Sequence, residues 1–233
     1  MRACFGGVAR SAVCSLALWP WLLPALAADP GPAGWQLRHR DEATATSVYQ
    51  RDRADGLPEF RAVTTMHARL SALVAVVQDP AHMAEWVYRT RSVEVLERDG
   101  PTQGVSRVIS AMPWPLWDRE AVVAWQLTQD PQSGTVVLAG RSAADRLPSS
   151  PDRVRMPSFA SRWRFEPKGG GEVEVSFEGH ADLGGNLAFP LLRAFVAGAV
   201  WQAPLETVNG LRRMVQQPAY RAAELAHIRE PGS

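Results

Sequence analysis

Side chains that react or bind metals are scarce in this sequence of 233 residues. Its two cysteines, Cys4 and Cys14, lie near the start, and its five histidines are scattered along the chain. No histidine has the spacing to a second histidine or a cysteine that metal sites use. A G-x-S-x-G nucleophile motif and a phosphate-binding glycine loop are also missing. The sequence therefore predicts no metal site and no cofactor.

The first residues predict an export signal. A weakly basic start leads into an apolar run, Ala12–Leu26, which closes with the small-residue pattern Ala25-Leu26-Ala27. This order is typical of a cleaved secretory signal, which assigns 1–27 to the signal peptide. An uncleaved anchor is the alternative, but Pro20 and Pro24 interrupt a run that is already short for a membrane span. Cleavage would remove both cysteines, which leaves no disulfide and no thiolate chemistry.

The charge of the chain argues against nucleic-acid binding. The sequence holds 25 basic and 24 acidic residues, and without Arg2 and Arg10 the balance becomes 23 against 24, a net charge of −1. Because no strong field results, nucleic acid is not an expected partner. Lys168 is the one lysine, and this bias towards arginine indicates a GC-rich bacterial genome. Together with the export signal, it predicts a periplasmic or secreted protein.

The C-terminal part is organised around a long amphipathic stretch, Asp182–Gln217. Its apolar residues recur at steps of three and four, which places them on one broad face of a helix. Gly184-Gly185 is a turn signal, and Asn186 is a candidate N-cap. Pro204 is expected to bend this helix rather than end it. A helix with so long an apolar face needs a large surface to cover.

The chain before this helix is predicted to be mostly antiparallel sheet. Strands are expected at Ser47–Arg53, Glu59–Met66, Ser92–Arg98, Gly104–Met112, Arg119–Gln129, Thr135–Gly140, Ser161–Pro167 and Glu172–Asp182. Short helices are expected within Trp35–Ala45, at Leu70–Gln78 and from Asp79, and a long polar connection at Ser142–Ala160. In the last strand Val173, Val175 and Phe177 alternate with polar residues, which gives the sheet one dry face. The long helix is the natural cover for that face.

Four short patterns occur in order along the chain. They are Leu73…Asp79…Trp86, Pro113-Trp114-Pro115-Leu116…Asp118-Arg119-Glu120, Val154-Arg155 with Trp163…Pro167, and Asp182-Leu183-Gly184-Gly185. In this order they resemble the START lipid-transfer domain of the helix-grip superfamily, with Glu120 in place of an aspartate and Leu183 in place of a proline. The resemblance implies an α+β helix-grip fold, in which a curved antiparallel sheet wraps around the long C-terminal helix. It divides the chain into a signal peptide, a linker at 28–34, a START-like domain at 35–217 and a C-terminal tail at 218–233.

The resemblance also implies an internal tunnel between sheet and helix that holds one lipid or other apolar molecule. The apolar, tryptophan-rich face agrees with this, although a fully packed core is the alternative reading of the same residues. Candidate ligand-binding residues are Trp86, Met112, Trp114, Trp117, Val123, Trp125, Trp163, Phe177, Leu192, Phe195, Val196, Ala199 and Val200. The expected partner is thus a lipid or another apolar small molecule, bound by a monomer.

The loop Met112–Trp117 combines two prolines with two tryptophans between strands. In the family this connection lies over the tunnel mouth, which implies that Trp114 or Trp117 covers the ligand or touches a membrane transiently. Indole rings favour the membrane interface. The alternative is a loop whose aromatic side chains are fixed onto the core.

Asp118, Arg119 and Glu120 are the charges of the loop motif, and we expect them to stabilise the loop by ion pairing. Some sterol-binding members keep an acidic and a basic side chain in the tunnel to meet a hydroxyl group. Trp125 falls near the expected basic position, with Ser106 and Arg107 on the neighbouring strand. This departure argues against a sterol as the ligand.

Three functions are compatible with these features. A carrier that binds and transfers a lipid without chemistry is the first, and it predicts that the protein is not an enzyme. A polyketide cyclase or aromatase of the same superfamily is the second, but it needs acid or base groups along the dry face. The third is an interaction module without a ligand, in which Trp125, Trp163 and Trp201 fill the tunnel.

Overall fold

A computed structural model describes residues 34–185 and 190–231, except for the side chains of 190–194 and 197. The strands are β1 (Gln36–Asp41), β2 (Thr46–Asp52), β3 (Pro58–His67), β4 (Thr90–Asp99), β5 (Gln103–Ser110), β6 (Arg119–Gln129), β7 (Val136–Ser142), β8 (Val154–Arg155), β9 (Ser158–Gly169) and β10 (Glu172–Asp182). The helices are α1 (Leu70–Val77), α2 (Met83–Trp86), α3 (Pro190–Met214) and α4 (Pro218–Arg221), with a 3-10 turn at Ala144–Arg146.

The strands of the described chain form one curved sheet in the order β1-β2-β3-β10-β9-β7-β6-β5-β4. All pairs along this path are antiparallel, and β8 runs parallel to the start of β6. The predicted curved sheet with a C-terminal helix is confirmed. The β6 and β10 ranges agree with those expected from the sequence, because uninterrupted alternation marks both ends of these strands.

Three local expectations were wrong. The segment Trp35–Ala45 contains strand β1 rather than a helix, because its residues pair with β2 at the edge of the sheet. The helix expected from Asp79 begins only at Met83, since the Asp79 carboxylate accepts a hydrogen bond from the Ala81 amide and forms a turn first. The connection Ser142–Ala160 contains the 3-10 turn, β8 and the start of β9.

Helix α3 continues through Pro204, as the sequence predicted, and Asn186 lies outside the described residues. The helix packs against β2, β3 and β10 and against the small helices α1 and α2. Gly210 allows the closest approach, because a Cβ atom there would overlap the Trp86 carbonyl oxygen and lie 3.0 Å from the Trp86 Cβ. At Gly198, half the helix away, no atom of the described residues lies within 4 Å of the position of the missing Cβ.

The main core lies where α1 and the C-terminal half of α3 meet the sheet. Its fully buried residues include Leu73 of α1, Phe165 of β9 and Leu211 of α3. The apolar faces of these helices and of the strands thus pack together and remove a large apolar area from water. The N-terminal half of α3 is less tightly covered, since Val196, Gly198 and Val200 are only half-buried.

The segment after Gln217, expected from the sequence to be a tail, packs onto the core in the structure. Tyr220 and Ile228 are buried in the main core cluster. The Glu230 carboxylate accepts hydrogen bonds from the backbone amides of Leu70 and Ser71, at 3.0 and 2.8 Å. These amides start α1, so a carboxylate from the end of the chain satisfies free N–H groups and the positive end of the helix dipole.

The two glycines of α3 make a matched test of this packing. We expect Gly210→Ala to lower the free energy of unfolding by about 1–3 kcal/mol, because the new methyl group overlaps backbone atoms of α2. Gly198→Ala should instead leave stability unchanged or raise it by about 1 kcal/mol, since alanine is the better helix former and the site is open. Urea denaturation followed by circular dichroism measures both values. Equal effects of the two substitutions would contradict the close approach at Gly210.

Candidate functional site

A cavity of about 170 Å³ lies on the inner face of the sheet. Strands β4, β5, β6, β7, β9 and β10 form its wall, and α1, α2 and Thr207 of α3 form its roof. Its apolar lining consists of Val77, Pro80, Met83, Trp86, Val87, Val93, Val95, Val108, Val123, Trp125, Leu138, Phe159, Trp163 and Phe177. The described side chains therefore leave this region of the interior unfilled.

Polar groups are few along the described lining of this cavity. They belong to Gln78, Thr90, Arg98, Ser106, Ser161 and Thr207. Arg98 carries the one charge among them, and it is an exposed residue whose guanidinium lies 5.6 Å from the Trp125 ring centroid. The buried part of the cavity is therefore apolar and neutral.

Aromatic rings build one side of the cavity. The Trp163 ring stacks on Phe177 with 4.2 Å between centroids, and Phe177 contacts Phe60 at 5.1 Å. Trp163 also approaches Trp86 of α2 at 6.0 Å. Alternation on β9 and β10 places Trp163 and Phe177 as cross-strand partners on the inner face, where such pairs stabilise one another. The rings thus border the cavity instead of filling it.

A second, more open cavity of about 640 Å³ lies beside the N-terminal half of α3. Val196, Val200 and Trp201 of the helix face Ala181 and Leu183 at the end of β10 across it. Between the two cavities lies a small apolar cluster that includes Ala121, Met156, Phe159, Ala181 and Leu183. Because Phe159 and Ala181 are cross-strand partners, the same inner face continues from one cavity to the other.

The structure brings five of the thirteen candidate ligand-binding residues together around the first cavity. These are Trp86, Val123, Trp125, Trp163 and Phe177. Val196 and Val200 line the second cavity. Phe195 and Ala199 are half-buried in α3 but lie outside the described lining of both cavities, since this half of the helix stands away from β4 to β7. The side chain of Leu192 lies outside the described residues.

Sequence reasoning named Ser106 of β5 but missed its apolar neighbours on the inner face of β4 and β5. Val93 and Val95 of β4 and Val108 of β5 line the first cavity together with Ser106. Alternation along β5 from Ser106 could have identified Val108. The β4 residues are harder to find, because irregular pairing between Val95 and Glu97 interrupts the period of two.

The loop between β5 and β6 presents its tryptophans to solvent. Trp114 is 90% exposed and Trp117 is 56% exposed, which argues against the alternative that aromatic side chains fix this loop onto the core. Met112 is half-buried at the start of the loop and lies outside the described lining of both cavities. The ends of the loop are joined by a hydrogen bond from the Met112 amide to the Asp118 carboxylate at 3.2 Å. Asp118 also pairs with Arg91 at 2.7 Å.

Arg119 joins this loop to the segment that leads into α3. It is a buried cation whose guanidinium donates to the Trp117 carbonyl at 2.5 Å and to the Leu183 carbonyl at 2.7 Å. Burial lowers the pKa of Arg119, and no carboxylate among the described residues pairs with it. The expectation that ion pairing stabilises the loop therefore holds for Asp118 alone of the three charges. Arg119 binds backbone carbonyls instead, and Glu120 pairs away from the loop.

Glu120 points to the opposite face of β6, where it binds two arginines. Its fully buried carboxylate accepts from Arg107 at 2.5 Å and from Arg155 at 2.9 and 3.1 Å. Arg155 also donates to the carbonyls of Ala144, Leu147 and Pro148, so the pair holds the long crossover onto the sheet. Burial alone would raise the pKa of Glu120, but the two arginines outweigh it and lower that pKa from its ordinary value of 4.5.

Two neutral side chains, Trp125 and Ser106, occupy the position at which sterol-binding members of the family would hold an acidic and a basic side chain. The Trp125 indole Nε1 donates to the Ser106 hydroxyl at 3.1 Å, and both residues line the first cavity. Arg107 lies on the other face of β5, in the Glu120 cluster. The cavity therefore contains a neutral hydrogen bond here, which agrees with the sequence argument against a sterol hydroxyl site.

Within residues 34–185 and 190–231, no group of histidine, cysteine and carboxylate side chains has the geometry to hold a metal ion. The same part of the chain contains no helix that is both long and apolar enough to cross a membrane. His180 is buried on the outer face of β10, where its Nδ1 lies 3.1 Å from Arg53. Burial and the neighbouring Arg53 cation lower the pKa of His180, so this ring is neutral at pH 7.

Comparisons with known proteins agree with this architecture. A family model, the START domain, matches residues 26–217. An uncharacterized protein of Pseudomonas aeruginosa is 26% identical over 211 residues, which cover 91% of this chain and 98% of that protein.

Two solved structures share the fold. The STAR-related lipid transfer protein of Xanthomonas axonopodis matches with a TM-score of 0.69 and 25% identity, over 79% of this chain and 99% of that one. Human StAR-related lipid transfer protein 5 matches with a TM-score of 0.67 and 19% identity, over 79% of this chain and 88% of that one. At 19% identity the human structure shows the common fold alone.

The Glu120 cluster predicts a specific loss of stability at neutral pH. We expect Glu120→Gln to lower the free energy of unfolding at pH 7 by about 3–5 kcal/mol, because two arginines lose their buried partner. A carboxyl with a lowered pKa stabilises the folded state above its unfolded-state pKa, and this contribution disappears as the pH falls through the folded-state pKa. The difference between wild type and variant should therefore shrink below about pH 4.5.

Glu94→Gln is the matched control for that measurement. Glu94 lies 3.6 Å from the same Arg107, but its side chain is 62% exposed. Its replacement should change stability by less than about 1 kcal/mol. Urea denaturation between pH 3 and pH 8 measures both variants, and a Glu120→Gln effect that is equally small at pH 7 would contradict the assigned role.

Proposed function

This chain belongs to the START domain family, and from that premise we propose that it binds a lipid or another apolar small molecule in its interior. The observation that carries the proposal is the first cavity, which lies between the sheet and the small helices, is partly open, and is lined by apolar and aromatic side chains. Sites of this composition are typical for apolar ligands, because burial of the ligand removes its surface from water.

The size of the first cavity limits what it holds by itself. About 170 Å³ is close to the roughly 150 Å³ of an engineered cavity that binds benzene. A ring-sized group therefore fits, whereas a longer lipid needs additional space. The second cavity supplies such space on the same inner face, beyond Phe159 and Leu183. We propose that these side chains move apart when the ligand enters, which joins the two cavities into one tunnel.

We propose that the protein transfers its ligand between membranes and performs no chemistry on it. A sterol-sized molecule that buries about 400 Å² gains roughly 10 kcal/mol, and ordering costs remove a good part of this. The remaining binding free energy is large enough to extract the lipid from a membrane and small enough to release it again. The described lining of the first cavity holds no carboxylate, imidazole or thiol that would serve as a general acid or base. The Asp182 carboxylate at the second cavity accepts a hydrogen bond from the Gly184 amide at 2.8 Å. The lining of the first cavity supports a carrier over a cyclase.

The exposed loop is the proposed membrane contact. Trp114 and Trp117 stand in solvent at an edge of the sheet, and Arg119 connects the loop to the segment before α3. Contact of the indole rings with the lipid interface would thus be transmitted to the helix that covers the second cavity. In this proposal the protein works as a monomer in the periplasm or outside the cell, after removal of its export signal.

The ligand proposal is tested by native mass spectrometry of the protein after incubation with vesicles of total bacterial lipid extract. We expect an additional mass that corresponds to one bound lipid. Leu138→Trp, which fills the first cavity, should abolish that mass. Val137→Trp is the matched control, because Val137 points to the opposite face of β7 and should keep the lipid. Wild-type protein that stays empty under these conditions would refute the proposal.

The membrane proposal predicts weaker vesicle association of the double variant Trp114→Ala/Trp117→Ala. Each indole ring that enters the interface removes apolar surface worth roughly 1.5–3 kcal/mol when fully buried. Loss of the partial burial of two rings should therefore lower the vesicle partition coefficient at least about tenfold. Flotation or sedimentation at several lipid concentrations measures that coefficient. Trp35→Ala is the control, since Trp35 packs under the Arg51 guanidinium at 4.5 Å, away from the loop. Unchanged vesicle association of the double variant would contradict the proposal that this loop contacts the membrane.

A further inference from the structure

One charged side chain stands at the rim of the first cavity. Arg98 of β4 is the single charged residue among the described residues that line this cavity, and it is exposed to solvent. Its guanidinium carbon lies over the Trp125 ring, 5.6 Å from the ring centroid. Since Trp125 also lines the cavity, the apolar wall continues outward to a cation that belongs to an exposed residue.

The pairing of the strands places Arg98 on the cavity side of the sheet. Arg98 lies opposite Gly104 of β5, and Gly104 lies opposite Trp125 of β6. Directly paired residues of neighbouring strands carry their side chains on the same face. The Trp125 ring occupies the space over Gly104, because a Cβ atom there would lie 2.7 Å from a carbon of that ring. Arg98, Gly104 and Trp125 thus form one row across the inner face.

Arg98 has no carboxylate partner among the described residues. Its neighbours in sequence, Glu97 and Asp99, project to the other face of β4, because side chains alternate along a strand. Glu97 pairs there with Arg146, and the Asp99 carboxylate accepts a hydrogen bond from Gln103 at 2.5 Å. The two nearest acids in the sequence are therefore engaged elsewhere, and the cation on the cavity side is not neutralised by the protein.

The complement to an apolar cavity with one cation at its rim is an apolar molecule with one anionic end. A carboxylate that meets Arg98 keeps part of its hydration, because Arg98 is exposed, so its desolvation costs less than at a buried site. The planar guanidinium can bind both carboxylate oxygens. An ammonium group at the same place would be repelled, and a neutral group would gain little from the charge.

We propose that the first cavity takes an apolar carboxylic acid, whose carboxylate binds Arg98 at the rim and whose hydrocarbon part lies beyond Trp125 among the apolar side chains. The inference rests on the proposed function and specifies the chemical class of its ligand. The rim lies where the β4–β5 turn meets the end of α1, since the Gln78 amide donates to the Pro101 carbonyl at 2.8 Å and Gln78 also lines the cavity. The head group would thus bind at this end of the cavity.

Two probes with the same carbon skeleton test the assignment. At pH 7 4-phenylbutyrate carries a carboxylate, whereas 4-phenylbutan-1-ol ends in a neutral hydroxyl group. Isothermal titration calorimetry measures the affinity of each probe for wild-type protein and for Arg98→Gln. We expect the ratio of the acid affinity to the alcohol affinity to fall about fivefold to tenfold in the variant, which lies between the loss of an exposed ion pair and that of a hydrogen bond to a charged group.

Arg162→Gln is the matched control, because it removes the same charge from the other face of the sheet. Arg162 of β9 is exposed and stands between Ser161 and Trp163, which both line the first cavity, so its own side chain points away from it. The affinity ratio should stay close to wild type in this variant. Thermal unfolding verifies that each variant is folded, and the ratio cancels any change in the cavity that affects both probes equally.

The outcomes separate this inference from the proposed function. If both probes bind and Arg98→Gln leaves the ratio unchanged, Arg98 is a solvated charge that protects an edge strand, and the inference is overturned while apolar binding stands. An equal fall of the ratio in Arg162→Gln would also overturn it, because net charge rather than the rim would then select the acid. If neither probe binds the wild-type protein, binding in this cavity fails and the inference fails with it.

Discussion

The inner face of the sheet is wider than the helix that covers it. Neighbouring strands lie about 4.8 Å apart, and an α-helix with its side chains is about 10–12 Å across. One helix therefore covers two or three strands, and α3 lies over β2, β3 and β10. The inner face of the strands from β9 to β4 is instead shielded from water by the bending of the sheet, by the small helices and by its own aromatic side chains. A cavity remains where none of these three fills the space.

Two adjacent residues of β6 connect this cavity region to the rest of the molecule. Because side chains alternate along a strand, Arg119 and Glu120 act on opposite faces of the sheet. Arg119 binds carbonyls of the exposed loop and of the segment before α3, and Glu120 holds the crossover through Arg107 and Arg155. Charges on the two faces of one strand thus fasten the exposed loop on one side and the crossover on the other.

The buried part of the cavity is neutral because the charged residues of β6, Arg119 and Glu120, lie at the start of the strand. Charged side chains of β6 lie at its first two residues, and the inner positions that follow are Ala121, Val123 and Trp125. Since both charged residues lie at the start of β6, the buried cavity wall consists of indole, hydroxyl and aliphatic groups. The Trp125–Ser106 hydrogen bond joins two neutral groups on this wall.

The sequence by itself determined the family, the antiparallel sheet and the long C-terminal helix, because alternation, helical spacing and turn residues are local signals along the chain. It also identified Trp86, Val123, Trp125, Trp163 and Phe177 as inner-face residues. Only the tertiary structure decided that these five border a void, that the loop tryptophans face solvent, and that Glu230 caps a helix 160 residues away. Such contacts depend on the distance between elements that are far apart in the sequence. Periodicity within one element carries no information about that distance.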